Sequence, residues 1–461
     1  MKVKLAAAAV LALFAGGCTQ GPNYGRPVVT PPEAFRGNAG TTVDPSASIA
    51  EQRWSTVFED EALRELITEA LANNFDLKIA AARILQAQAQ FGVTDSARFP
   101  TVNAQGGPQV QHGSVVNGES LPTVSIWQFT LNASWEPDFW GKYKRASEAA
   151  RADILASEWG RRAILTSLIG QVASGYFNLR ALDSELEISR RTVATREESL
   201  RLTEVRERGG ATSLVDVRQA EGLVLTARGQ IIDLQRLIEQ QENAISVVLG
   251  RNPGPIVRGR PLVEQPHAPD VPAGLPSALI DRRPDVLQAE QLMVAANAEI
   301  GVAKSAYFPQ ITLTGAGGVA STALSNLFTA GAWSVAAGAL QPVFTAGRTR
   351  SQVELAEARR LEAELVYRQT LQQAFREVSD ALVGYRRLRE FRETQQALVV
   401  AAQDARRLAD LRYQGGATSY LEVLDSDTRL FGAELSLVDA QFRELAAFVE
   451  IYRSLGGGWQ Q

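Results

Sequence analysis

Gly209-Gly210-Ala211-Thr212-Ser213 occurs twice in this 461-residue chain, since the same five residues return as Gly415-Gly416-Ala417-Thr418-Ser419. Further matches at the same offset of 206 positions are Val172 with Val378, Val217 with Val423, and Leu249-Gly250 with Leu455-Gly456. Self-similarity at a fixed offset indicates a duplicated structural unit. We therefore predict a first repeat over 59–252 and a second repeat over 276–461.

Long proline-free stretches flank each copy of the pentapeptide. No proline occurs between Asp138 and Asn252, or from Val343 to the C-terminus, and interior prolines break helices. Apolar residues step by four and three in both stretches, as in Leu168, Val172, Gly175, Leu179, Leu182 and Leu186, and in Leu371, Phe375, Val378, Leu382 and Tyr385. This heptad spacing predicts long coiled-coil helices over about 142–208 and 347–414. A solvated coiled coil with no further purpose would show the same spacing.

Each pentapeptide is expected to reverse the chain between two helices. Gly209, Gly210, Gly415 and Gly416 supply positions for a positive-φ C-cap, and the Thr or Ser that follows can cap the next helix. We therefore place tip turns at 209–213 and 415–419, each followed by a return helix. A shorter helix is expected to open each repeat, over about 59–98 and 276–307. Eight of the nineteen prolines lie between Pro253 and Pro284, which indicates a linker over 253–275.

A segment of alternating polarity lies ahead of the first long helix. Trp127, Phe129, Leu131 and Trp135 alternate with polar neighbours, which is typical of a membrane-barrel strand, although a soluble amphipathic strand looks similar. We predict two strands within about 100–137 and two more, with a weaker pattern, within about 309–342. Four strands cannot close a membrane barrel, so spanning strands would require an oligomer. Two copies would supply about eight strands and three about twelve, and only the larger barrel has an appreciable bore.

The N-terminus has the features of a secretory signal. Lys2 and Lys4 precede an apolar stretch that is too short to span a bilayer and ends at Cys18, the only cysteine. An incidental free thiol is the simple interpretation, but small residues directly before Cys18 resemble a bacterial lipoprotein cleavage site. Ala15 stands where that signal prefers leucine. We predict a signal peptide over 1–17, lipidation of Cys18 and an anchored segment over 18–58.

Composition excludes several classes of function. The net charge is −4 and becomes more negative without Lys2 and Lys4, so no nucleic-acid footprint is present. The mean hydropathy of −0.10 and the lack of an apolar run near twenty residues argue against a helical membrane protein. With only two histidines (His112 and His267) and one cysteine, the sequence offers no zinc cluster, thiol nucleophile or histidine-centred triad. We expect no enzyme activity, no metal site and no cofactor besides a covalent lipid on Cys18.

The second repeat opens with the most specific motif of the chain. Its segments are Leu279-Ile280-Asp281-Arg282-Arg283-Pro284-Asp285-Val286, Ala295-Ala296-Asn297-Ala298, Ile300-Gly301-Val302-Ala303 and Phe308-Pro309-Gln310-Ile311-Thr312-Leu313. This series resembles the TolC family of outer-membrane efflux proteins, and most of all its NodT-type lipoprotein branch. The resemblance covers nearly the whole chain after the signal peptide.

The resemblance implies a mixed, mainly α fold in a homotrimer, located in the outer membrane. Four strands per chain would complete a twelve-stranded β-barrel, and the long helices a periplasmic α-helical barrel. The N-terminal segment, the 253–275 linker and the C-terminal end would form a belt. The implied function is that of a passive efflux channel, served by a periplasmic adaptor and an inner-membrane pump, by default of the resistance-nodulation-division type. Small toxic molecules are the default cargo, with metal ions and secreted peptides as alternatives.

The family also implies a gate at the periplasmic tips. By resemblance, Arg412 and Tyr413 would make the bonds that hold the gate closed, and Leu421 and Asp425 would form rings that narrow the pore. The usual Ala-Gln after that aspartate is replaced by Ser426-Asp427, which predicts an unusually acidic second tip. In the first repeat Asp216 and Arg218 occupy the corresponding place. The alternative to a gating role is, for each of these charged residues, an ordinary solvated charge at a helix end.

A structural protein is the main rival hypothesis. A lipid-anchored coiled-coil scaffold or tether without a pore would account for the heptads and for Cys18. It would not account for the Trp127–Trp135 alternation and its weaker counterpart in the second repeat.

Overall fold

The computed structural model describes residues 19–36, 48–112, 123–266, 271–329 and 331–459. The predicted signal peptide, Cys18 and His267 lie outside these residues. The chain divides into two compact units. The first unit comprises Met1–Val28, Arg83–Glu158 and Gln288–Arg368, and the second comprises Val29–Ala82, Trp159–Leu287 and Gln369–Gln461.

Nine α-helices lie in the described ranges. Those before the linker are α1 (Trp54–Val57), α2 (Glu61–Asn73), α3 (Phe75–Ser96), α4 (Lys142–Arg208) and α5 (Leu214–Val248). Those after it are α6 (Pro276–Arg282), α7 (Pro284–Ser305), α8 (Arg348–Gln414) and α9 (Tyr420–Ser454). Short 3₁₀ turns occur at Ile49–Glu51, Leu262–Glu264 and Leu324–Asn326. Both α4 and α8 have 67 residues, and both α5 and α9 have 35, so the long helix and the return helix have the same lengths in the two halves.

The helix that opens each repeat is broken in two, so the predictions of single helices over 59–98 and 276–307 are wrong. Asn74 separates α2 from α3 because its side-chain oxygen accepts a hydrogen bond from the Leu77 amide at 3.1 Å, while its amide group donates to the Val248 carbonyl at 2.8 Å. Arg283 separates α6 from α7 with an extended backbone (ψ 121°). The residue before a proline avoids the helical conformation, and Pro284 follows Arg283.

One antiparallel sheet contains strands from both repeats. Its strands are β1 (Thr101–His112), β2 (Thr123–Trp135), β3 (Gln310–Ser321) and β4 (Gly331–Leu340), in the order β1-β2-β3-β4. The β2–β3 pairing joins the two repeats, with Leu131 opposite Gly317 and Trp135 opposite Leu313. A Cβ at Gly318 would lie 2.3 Å from the Phe129 carbonyl oxygen, so this pairing requires a glycine there.

The second unit contains a buried polar centre around Asp60. One Asp60 carboxylate oxygen caps α2 by accepting the Ala62 amide at 3.0 Å, and the other accepts the Tyr176 hydroxyl at 3.0 Å and the Gln265 side chain at 2.7 Å. The Arg260 amide donates to the second oxygen at 2.9 Å. This carboxylate therefore joins α2 and α4 to the linker.

Most of the predicted heptad positions lie in the packed interior of the second unit. Leu168, Val172, Leu179, Leu371 and Val378 are all buried. The chain is thus a mainly helical protein with one small antiparallel sheet, as the fold-class prediction required of each chain. Among the described helices, none is long and apolar enough to cross a membrane.

Candidate functional site

The two tip turns have the same backbone conformation. Gly210 has φ +75° and Gly416 has φ +72°, the left-handed conformation that glycine adopts without strain. In both turns the alanine after the glycines donates its amide to the carbonyl of the arginine five residues earlier, at 2.8 Å. Both long helices therefore end in Schellman motifs, and the chain reverses where the sequence predicts.

The two turns differ at the start of the return helix. Ser213 caps α5 in a reciprocal capping box, in which the Asp216 carboxylate accepts the Ser213 amide at 3.0 Å and the Ser213 hydroxyl accepts the Asp216 amide at 3.4 Å. The Thr212 hydroxyl also donates to Asp216 at 2.6 Å. These hydrogen bonds, that from Thr212 most of all, lower the pKa of Asp216. Ser419, at the equivalent place, makes no side-chain cap.

Glu422 links the second turn to the end of α8. It lies 206 positions after Asp216 and accepts hydrogen bonds from the Thr418 hydroxyl and from Arg412, the latter at 3.0 Å. The Arg412 and Glu422 side chains are 58% and 39% exposed, so the pair itself contributes little stability. Arg412 is thus engaged within its own chain, in a contact between α8 and α9.

Aromatic packing occupies the interior of the tip. The rings of Tyr413 and Tyr420 lie 5.1 Å apart, and the Arg206 guanidinium lies 4.7 Å from the Tyr413 ring centroid. The Tyr420 hydroxyl is hydrogen-bonded to the Ser199 hydroxyl at 2.7 Å. Tyr420 is buried together with Ala409, while Tyr413 packs against this cluster from outside. Tyr413 therefore contacts its own chain through its ring.

Leu421 and Asp425 lie on an exposed face of α9. Leu421 is 59% exposed, and Asp425, one turn later, pairs with Arg429 at 2.8 Å in an exposed ion pair. The structure does not bring Arg412 or Tyr413 to Asp425. Among the predicted site residues, Arg412 and Tyr413 thus brace the turn, while Leu421 and Asp425 project from it.

Asp427 lies in an ion cluster that sequence reasoning missed. The Arg196 side chain, which is almost fully buried, donates to Asp427 at 2.7 Å, and Arg406 lies 3.4 Å from its other oxygen. Arg406 also pairs with Asp410. The prediction that Asp427 makes the second tip unusually acidic is therefore wrong, because two arginines on other helices neutralise it. The sequence around Asp427 gives no signal for this cluster, because the partners lie on α4 and α8.

Two repeats that each end in a helical hairpin, and that share one antiparallel sheet, correspond to a known family. The outer membrane efflux protein family matches residues 66–251 and 275–457. The chain belongs to this family. The two matched ranges correspond to the two repeats.

Named relatives match over nearly their whole length. A cation efflux system protein, CusC of Escherichia coli O6:H1, is 35% identical over 454 residues, which are 98% of each chain. A probable outer membrane lipoprotein, SilC of Salmonella typhimurium, is 34% identical over 99% of each chain. The open state of the Neisseria gonorrhoeae MtrE outer membrane channel superposes with a TM-score of 0.85 at 31% identity, covering 96% of this chain and 99% of that one.

Membership of the efflux protein family establishes the cellular location of the chain and the functional class of its relatives. The chain is an outer-membrane protein whose relatives are efflux channels and not enzymes. In the described part of the chain, no cluster of three or more potential metal ligands occurs.

Proposed function

We propose that this chain is the passive outer-membrane channel of a tripartite efflux system. It would assemble as a homotrimer and receive substrates from an inner-membrane pump, of the resistance-nodulation-division type by default, through a periplasmic adaptor. The observation that carries this proposal is the four-stranded sheet with two unpaired edges.

The sheet supports a trimeric pore. Within the described chain β1 and β4 each pair on one side only, and a sheet with open edges cannot lie in lipid. Pairing β4 of one copy with β1 of the next removes both edges, and three copies give twelve strands. Apolar side chains on the edge strands are highly exposed in the single chain, among them Val102, Val110, Trp333 and Val335. Lipid contact would cover such side chains.

The tip geometry supports a gate made of Leu421 and Asp425. Both side chains project from α9 and are free of the buried aromatic cluster. In a symmetric trimer each would occur three times around the axis, and three carboxylates at one constriction repel one another or attract a cation. Arg412 and Tyr413 would keep the turn in the shape that presents this face. Opening would exchange tip contacts for contacts with a partner.

Lipidation of Cys18 is part of the proposal. It rests on the sequence before Cys18, and the relative SilC is named as a lipoprotein. The acyl chains would hold the N-terminus at the membrane in addition to the barrel. Although CusC is named as a cation efflux protein, this chain has only two methionines, which gives no support to methionine-mediated handling of soft metals in the duct.

Single-channel conductance in a planar bilayer tests the channel and its gate. Wild type is compared with Asp425→Ala and Tyr413→Phe, and with Asp404→Ala as a matched control, because Asp404 also forms an exposed ion pair on a tip helix. We expect small, cation-preferring currents from wild type and the control. Asp425→Ala should conduct more or lose cation preference. Tyr413→Phe should conduct like wild type, because it keeps the ring that packs against Tyr420 and Arg206.

The rival scaffold makes the opposite prediction. If membrane-inserted protein gives no currents in any variant, the pore is refuted and a non-conducting lipoprotein tether becomes the leading hypothesis. Equal currents and selectivity in all four proteins would retain the channel but reject the gate at Leu421 and Asp425.

A further inference from the structure

The first described residues form a strap, Thr19–Arg26, that packs tightly within the first unit. A Cβ added to Gly21 would lie 2.6 Å from the Gly301 Cα, and one added to Gly301 would lie 2.6 Å from the Gln20 carbonyl oxygen. A Cβ at Gly141 would lie 2.8 Å from a methyl carbon of Thr19. Real Cβ atoms do not approach other atoms so closely, so glycine at these three positions lets the strap lie directly on the backbone of α7 and on the corner before α4.

Buried polar contacts hold the strap in register. The Arg145 side chain is only 6% exposed and donates to the Gln20 carbonyl at 3.1 Å and to the Asn23 side chain at 2.7 Å. Farther along, Tyr24 and Arg26 both donate to Glu290, at 3.0 and 2.6 Å. The position of Thr19 is therefore set by the fold of the first unit.

A cleft lies beside the start of the strap, at the end of the sheet where β2 ends and β3 begins. Its apolar lining includes Trp140, Val302, Ala306, Phe308, Ile311 and Leu340. The Trp140 and Phe308 rings stack 4.8 Å apart, and the Trp140 indole donates to the Pro309 carbonyl at 2.8 Å. The cleft is open to solvent and offers a volume of about 200 Å³, which is below the roughly 300–1,000 Å³ of drug-sized sites and suits part of a narrow acyl chain.

The carboxylates that line the cleft accept hydrogen bonds within the first unit. Glu136 accepts hydrogen bonds from Lys142 at 3.2 Å and from the Tyr143 hydroxyl at 2.7 Å. Asp138 accepts the Lys144 amide at 2.7 Å. Since Lys142, the one cation of the lining, is paired with Glu136, an anionic headgroup has no unpaired cation to bind there, and the apolar side chains favour an apolar ligand.

We propose that this cleft binds an acyl chain of the lipid carried by Cys18. Thr19 contacts Gly141, which lies between the lining residues Trp140 and Lys142, and the Gln20 amide donates to the Trp140 carbonyl at 3.1 Å. Cys18 precedes Thr19, and consecutive Cα atoms are about 3.8 Å apart. A thioether-linked diacylglycerol on Cys18 would thus be attached one residue from Thr19, which lies beside the cleft. This inference rests on the proposed lipidation, and it adds a binding site for the lipid on the protein itself.

Photocrosslinking from the acyl chain tests the site. Full-length protein is produced in cells fed a diazirine-bearing fatty acid, purified in detergent and irradiated, and peptides linked to the Cys18 peptide are identified by mass spectrometry. Crosslinks should concentrate on 136–142 and 302–311. Ala306→Trp, which fills the cleft, should abolish most of them, whereas Ala332→Trp, on the exposed strand β4, should leave them unchanged.

The outcomes distinguish failure of the cleft as a binding site from failure of the lipidation of Cys18. If Cys18 has the mass of an unmodified thiol, lipidation is refuted and the inference with it. If Cys18 is lipidated but its crosslinks fall elsewhere, or persist in Ala306→Trp, the cleft does not bind the chain while the anchor stands. Crosslinks from free phospholipid alone would likewise overturn the assignment to the Cys18 lipid.

Discussion

Asp427 shows how a single side chain at the tip acquires a role that its own helix does not reveal. Arg196 and Arg406 both contact its carboxylate, and the Arg196 guanidinium lies 5.0 Å from the Phe431 ring and donates to the Leu223 carbonyl at 2.9 Å. A buried pair of this kind is weak evidence for net stabilisation, but removing one partner leaves an uncompensated charge. Asp427 is therefore a structural contact between the helices behind the proposed gate.

Replacing this aspartate should loosen the tip. We expect Asp427→Ala to destabilise the local fold by about 3 kcal/mol, because two arginines lose their shared carboxylate. Hydrogen exchange measured by mass spectrometry should show amides of α9 near residue 427 exchanging roughly a hundredfold faster. Asp404→Ala is the control, since that exposed pair contributes at most about 1 kcal/mol. Equal exchange in both variants would show that the cluster does not hold the tip together.

At the scale of elements, the two helical hairpins share a backbone but are capped by different side chains. In the first hairpin Ser213 and Asp216 cap each other, whereas in the second Glu422 reaches Thr418 and Arg412, and Ser419 makes no side-chain cap. The first tip is thus closed locally, and the second is closed by a contact between its two helices. That difference fits a gate located on the second hairpin.

The cap difference predicts unequal effects of one substitution in the two repeats. Ser213→Ala should cost about 1 kcal/mol of local stability, because α5 loses the hydroxyl that accepts an orphan amide. Ser419→Ala should cost clearly less, because no such hydrogen bond exists there. Hydrogen exchange of the first turn of α5 and of α9 measures both effects. A larger effect at Ser419 would contradict the capping assignment.

At the scale of the whole molecule, the four-stranded sheet forms only because the two repeats are joined in one chain. Neither repeat alone provides more than a hairpin, and an isolated two-stranded hairpin is marginally stable at best. Pairing β2 with β3 makes one sheet from both repeats, and the two remaining edges require further copies in a membrane. Duplication thus pairs the inner edges of the two hairpins, and oligomerisation would pair the two outer edges.

Membrane insertion by strands predicts that the lipid is dispensable for membrane association. Cys18→Ala protein should still require detergent for extraction, and its circular dichroism should retain a minor strand component beside the helical signal. A scaffold held by its lipid alone would become soluble without detergent once Cys18 is replaced. Recovery of Cys18→Ala protein in a detergent-free soluble fraction, with purely helical dichroism, would contradict the barrel.

The sequence by itself determined the duplication, the long helices, the reversing turns and the approximate positions of the strands. These features depend on local chemistry: proline placement, the step of apolar residues, and glycines such as Gly210 and Gly416 that adopt positive φ. Only the tertiary structure decided the partners of Asp427, the contact of Asn74 with the Val248 carbonyl, and the passage of the strap between Gly141 and Gly301. Each of these joins residues far apart in the chain, and sequence periodicity carries no information about which distant groups meet when helices pack.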